Sequence, residues 1–132
     1  MKKIIITCLS IALLVPSTYA QAATKSLNTK ANKSSCKNIK INYKSEVLFN
    51  WSNGLVSDQD VLKEIDSNIN MLIARQKPTS GKIKTVIGSW IKAEKNTKNA
   101  IIDKNVEAIN LAMDLKISSV TSFDKLCKSI GK

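Results

Sequence analysis

The stretch SDQDVLKEIDSNINMLIARQ, residues 57–76, decides the fold class of this chain. Val61, Leu62, Ile65, Ile69, Leu72 and Ile73 recur at spacings of three and four, which on a helix gathers one apolar stripe and leaves Lys63, Asp66, Asn70 and Arg75 outside it. Its ends are equally legible. Ser57 is placed to accept a backbone N–H as N-cap, and Asp58, Asp60 and Glu64 set negative charge near the positive end of the helix dipole. Arg75 and Lys77 oppose the negative end before Pro78 stops the helix. A helix with one apolar face needs a partner surface, and the flanking segments are read for it.

Upstream, Cys36, Ile39, Tyr43, Val47 and Trp51 lie three or four apart with Leu48 beside them, which predicts a first helix ending at Asn53-Gly54. Ile39, Ile41 and Tyr43 also alternate as a strand would. Downstream, Thr79 or Ser80 can cap a helix whose stripe is Ile83, Val86, Ile87, Trp90 and Ile91. Glu94, Thr97 and Lys98 fall where that stripe should continue, which predicts a break near Asn96, with one long bent helix as the rival. Ile102, Val106, Ile109 and Met113, widened by Ile101, Ala108, Ala112 and Leu115, predict a largely buried helix whose small alanines allow close approach. A short terminal helix, capped at Thr121 or Ser122, carries Phe123, Leu126, Cys127 and Ile130 inward. Short turns make antiparallel neighbours. The expected fold is all-α: a small antiparallel bundle of four to five helices closed by one disulfide.

Three segments organise the chain. Met1, Lys2 and Lys3 precede the apolar run IIITCLSIALLV, then Pro16 and STYAQAA, so residues 1–22 read as a secretory signal peptide. Its run of about twelve apolar residues falls short of the ~20 that span a bilayer. Residues 23–35, ATKSLNTKANKSS, read as a flexible basic leader, and residues 36–132 as the helical domain. Loss of Lys2 and Lys3 lowers the formal charge from +11 to +9. Few aromatics, four glycines and two prolines disfavour a β-sandwich. Cys8 leaves with the signal peptide, and in an exported chain the remaining pair, Cys36 and Cys127, reads as a disulfide, with two buried thiols as the alternative.

Chemistry is sparse. The chain has no histidine, which removes histidine-dependent triads, general bases and metal sites. Asp58, Asp60, Glu64 and Asp66 cluster where dipole compensation explains most of them. Counted as a calcium loop from Asp58, the sixth and twelfth positions are Lys63 and Ile69 instead of Gly and Glu. Gly54, Gly81, Gly88 and Gly131 are isolated, so no phosphate loop is present. No catalytic residue, metal or cofactor is expected. Tyr43, Trp51 and Trp90 read as core.

The lysines offer the one candidate surface. Lys25, Lys30, Lys33, Lys37, Lys40 and Lys44 run without an acid until Glu46, and the disulfide would bring Lys125, Lys128 and Lys132 near them. Lys37, Lys40, Lys44, Lys125, Lys128 and Lys132 are therefore the candidate contacts for an anionic surface. The partners expected are an anionic cell-wall polymer, a membrane surface or another envelope protein; a generally solvated basic surface is the bland alternative. Nucleic acid is disfavoured, because Arg75 is the only arginine and no aromatic interleaves with the basic run.

The signal peptide, Cys36, DVLKEIDSNINMLIARQ, EAINLAMDL and the LCKSIG around Cys127 together resemble the small extracytoplasmic helical proteins of Gram-positive bacteria. That resemblance implies a helical fold and an extracytoplasmic compartment, and no site. The chain departs from lipid-anchored members in having no lipobox cysteine before the mature start. The function expected is a secreted or cell-envelope non-enzymatic binding protein. The alternatives are a cationic membrane-active antimicrobial or toxin, and an envelope immunity or inhibitor protein.

Overall fold

A computed structural model describes residues 27–41 and 46–131, and residues 1–22, expected to be a signal peptide, together with Tyr43, Lys44 and Lys132 lie outside the described residues. Five helices form among those described: α1 Lys30–Asn38, α2 Glu46–Ser52, α3 Asp58–Gln76, α4 Gly81–Ile102 and α5 Val106–Ser129. No strand occurs among them. Helix α4 packs against both α3 and α5, while α1 docks on α5 and α2 on α3.

Helix α3 forms as its sequence dictates. Ser57 Oγ accepts from Asp60 N at 3.2 Å, and Val61, Ile65, Ile69 and Leu72 are buried. Ile73 departs from the expected stripe and stands in solvent. Gly54, at φ +71, takes the left-handed conformation expected of a helix stop. Trp51, only half-buried, donates from Nε1 to Asp58 Oδ1 at 2.6 Å and thereby fastens α2 to the start of α3.

Elsewhere the polar residues of the stripes were misleading. Helix α4 does not break near Asn96: Glu94 and Thr97 are buried, and Thr97 Oγ1 turns back to Ala93 O at 2.9 Å, so a polar side chain is accommodated without interrupting the helix. Likewise no new helix starts at Thr121 or Ser122. Ser119 is buried with its hydroxyl donating to Leu115 O at 2.8 Å, and α5 runs unbroken to Ser129. Asn105 caps α5, its Oδ1 accepting from Ala108 N at 3.0 Å. The stripe expected to be largely buried is not so at its start: Ile102, the last residue of α4, and Val106 and Leu111 of α5 are all more than half exposed. Ser80 occupies the N-cap position of α4 but makes no side-chain cap bond.

The N-terminal part needs the largest correction. There is no single helix from Cys36 to Trp51; residues 39–41 are non-helical and separate α1 from the segment leading to α2. Nor is all of 23–35 a flexible leader, because Thr29 Oγ1 accepts from Asn32 N at 3.1 Å and caps α1. The inner face of α1 is polar, with Asn32, Ser35 and Cys36 buried. Asn32 Oδ1 accepts from Ser80 N at 3.1 Å and its Nδ2 donates to Ser80 O at 3.3 Å, while Ser35 Oγ donates to Arg75 O at 3.0 Å. Those bonds supply partners for the backbone of the α3–α4 turn. The Cys36–Cys127 disulfide then holds α1 to the last turns of α5.

The core joins Ile39, Leu48, the α3 stripe, Ile83, Ile87, Trp90, Ile91, Ile101, Val120, Phe123 and Ile130 around the disulfide. Trp90 and Phe123 meet edge to face with ring centroids 6.0 Å apart, worth about 1 kcal/mol beyond area burial.

Two outcomes follow for stability. Asn32→Ala removes both bonds to the half-buried Ser80 backbone and should cost ~2 kcal/mol in urea titration. The disulfide closes a loop of 91 residues, for which chain entropy gives ~4 to 5 kcal/mol. Verified reduction should therefore lower Tm appreciably; an unchanged thermal transition would show that the bond does not stabilise the fold.

Candidate functional site

Helix α1 brings part of the basic run into register. Lys30, Lys33 and Lys37, spaced by three and four, form one exposed row on the side opposite Asn32, Ser35 and Cys36. No acid interrupts the helix. Lys37 and Lys128 each adjoin a cysteine of the bridge, whose Cα atoms are 5.4 Å apart; their own Cα atoms are thus no more than about 13 Å apart. Lys125 is exposed on α5, and Lys128 is exposed but pairs with Asp124 at 2.6 Å. Lys40 belongs elsewhere, lining a cleft between helices. Lys44 and Lys132 lie outside the described residues.

A second basic face escaped the sequence reading. Lys84, Lys92 and Lys95 share the exposed side of α4, and the one acid on that helix, Glu94, is buried. Lys98 is taken up by α3, with Nζ 2.7 Å from Asp66 Oδ1.

The cleft beside Lys40 has a buried ion pair at its base. It encloses about 420 Å³ between Asn38, Lys40 and Glu46 of the N-terminal segment, Glu64, Asn68, Met71 and Leu72 of α3, Trp90 and Glu94 of α4, and Lys116 of α5. Its outer residues, including Lys40, Glu46 and Glu64, are exposed, whereas Leu72, Trp90, Glu94 and Lys116 are buried and form the floor. On that floor Lys116 Nζ lies 2.9 Å from Glu94 Oε1, with the two side chains 8% and 3% exposed. Trp90 Nε1 donates to the same oxygen at 3.2 Å.

This buried pair was not anticipated, although a signal existed. Lys116 falls on the inward register of α5, four residues after Ala112, four before Val120 and seven before Phe123. Glu94 continues the register of Ile83, Ile87 and Trp90. Opposite charges on the inner stripes of neighbouring helices point to an ion pair.

A smaller cavity of about 320 Å³, lined by Asn96, Asn99, Ala100, Asp103, Ala108, Leu111 and Ala112, lies between the end of α4 and the start of α5. Among the described residues, no group of His, Cys, Asp and Glu is arranged to hold a metal ion, and no helix is long and apolar enough to cross a membrane. The disulfide is compatible with an extracellular location. No protein-family model, curated protein or solved structure matches the chain.

Removing one member of a buried pair strands the other charge, whereas replacing both with apolar side chains of similar volume is far less costly. Lys116 should accordingly tolerate Lys116→Met poorly in the presence of Glu94, with a loss of about 3 kcal/mol in urea denaturation. The double variant Glu94→Leu/Lys116→Met should recover most of that loss; a purely additive double variant would show that the two groups are not coupled.

Proposed function

We propose that this is an exported, non-enzymatic binding protein whose lysine-lined, disulfide-clasped end engages an anionic polymer at the cell envelope. The observation that carries this reading is the exposed row Lys30, Lys33 and Lys37 on a helix that the Cys36–Cys127 bond ties to α5. Three ammonium groups on one short helix face, with no acid in the same helix, present a concentrated positive field. Removal of the signal sequence exposes the chain to an oxidising compartment, where the bond that positions the row is stable. The sparse chemistry of the chain supports a binding role over a catalytic one. The solvent-facing lysines attract wall polymers and acidic lipid head groups through the same long-range term, which salt weakens.

The test is sedimentation of the oxidised protein, residues 23–132, with purified teichoic-acid-bearing cell wall at low and high salt. Each lysine near an anionic surface contributes on the order of 1 kcal/mol, so Lys30→Gln/Lys33→Gln/Lys37→Gln should weaken low-salt binding by roughly 100-fold. The comparison variant Lys84→Gln/Lys92→Gln/Lys95→Gln, on the other basic face, should lose much less. Equal losses in the two variants, or no wall association at low salt, would sink the assignment. Dye release from anionic vesicles by the oxidised protein would favour a membrane-active function instead.

A further inference from the structure

We infer that the cleft over Glu94 and Lys116 is a binding site for a small zwitterion of the α-amino-acid class. The floor holds a carboxylate and an ammonium side by side, 2.9 Å apart and both more than nine-tenths buried. Their interactions with protein are lopsided. Both the Trp90 indole and the Lys116 ammonium approach Glu94 through Oε1, which leaves Oε2 toward the cleft that Glu94 lines. Lys116, which lines the same cleft, has three N–H donors and one ion-pair partner, so donors remain for a ligand there.

A ligand that satisfies both must carry an acceptor and a donor of opposite charge a bond or two apart. An α-amino acid does so: its carboxylate accepts from Lys116 and its ammonium donates to Glu94 Oε2. A lone anion would sit against Glu94, and a lone cation against Lys116, so the pair discriminates against singly charged molecules. Met71, Leu72 and Trp90 supply an apolar wall for the ligand's side chain. Asn38 and Asn68 provide neutral hydrogen-bonding groups, and Glu46 and Glu64 tip the cleft toward negative charge, three carboxylates facing two ammonium groups. A volume of about 420 Å³ falls within the range of small-molecule sites and holds one amino acid with ordered water. This inference does not rest on the lysine row, which lies on the outer face of α1.

Calorimetric titration of the oxidised protein with L-leucine, L-methionine and L-phenylalanine tests it. At least one should bind saturably at one site per chain. N-acetylation, which removes the ammonium charge, and methyl esterification, which removes the carboxylate, should each weaken that ligand by roughly tenfold or more. Glu94→Gln should weaken it to a similar degree. Because that change touches the core, Met71→Trp serves as the second variant: it fills the mouth from an exposed position and should abolish binding while leaving the circular dichroism and Tm unchanged. No saturable heat from any of the three up to about 10 mM would overturn the inference, since a site weaker than that does not recognise its ligand. Equal affinity for the blocked derivatives, or binding undiminished in a folded Met71→Trp variant, would overturn it as well.

Discussion

The covalent bond between Cys36 and Cys127 governs much more than local rigidity. Helix α1 has nine residues, too few to be helical alone in water, and its inner face offers Asn32 and Ser35 where a self-sufficient helix would offer leucines. Hydrophobic burial alone is a poor candidate for holding it. The sulfur bridge fixes one point, and the bonds from Asn32 and Ser35 to the α3–α4 turn fix its orientation. With α1 placed, Ile39 is buried in the core and Asn38 and Lys40 reach the side of the cleft. The position of the lysine row and the wall of the cleft are thus consequences of one tether.

The second organising feature is polar material inside the packed layer of α3, α4 and α5. Burying Glu94 and Lys116 together costs desolvation that their attraction offsets incompletely, and an apolar pair of the same volume would serve stability at least as well. Thr97 and Ser119 add hydroxyls that resolve their hydrogen bonding within their own helices. The hydroxyls are therefore cheap to bury, and the ion pair is not. A costly buried pair at the bottom of an open cleft is the arrangement in which charge is retained for something other than cohesion.

How far the sequence could be read depended on whether a residue's role was settled locally. Helix α3 was legible from cap to stop because Ser57, its apolar stripe and Pro78 act within a few residues of one another. The disulfide was legible because two cysteines remain once Cys8 is set aside. The continuity of α4 and α5 was not, because Glu94, Thr97 and Lys98 interrupt the apolar stripe of α4 and Thr121 and Ser122 have the chemistry of a cap in α5; Glu94 turns to Lys116, 22 positions away, and Thr97 and Ser119 turn to backbone carbonyls one turn back. Helix α1 was missed for the related reason that its buried face is hydrophilic, and its partners Arg75 and Ser80 lie more than 40 positions on or at that distance. The cleft draws its lining from five separate segments, so no single stretch announces it. Of the lysines singled out, Lys37, Lys125 and Lys128 are exposed and lie within two residues of a bridging cysteine in sequence, whereas Lys40 lines the cleft.

The route of the N-terminal segment also sets an order of events. The ties of α1 to the α3–α4 region and to α5 reach forward in the chain, by 40 positions to Arg75, 48 to Ser80 and 91 to Cys127. Helices α3, α4 and α5, by contrast, are joined in sequence by short turns and can zip together as each follows the last. In a chain delivered from its N-terminus, α1 arrives first and is secured last. Until Cys127 has arrived, the Cys36 thiol has no native partner and remains open to foreign disulfides, so the helix that carries the most concentrated charge is also the last to acquire a fixed address.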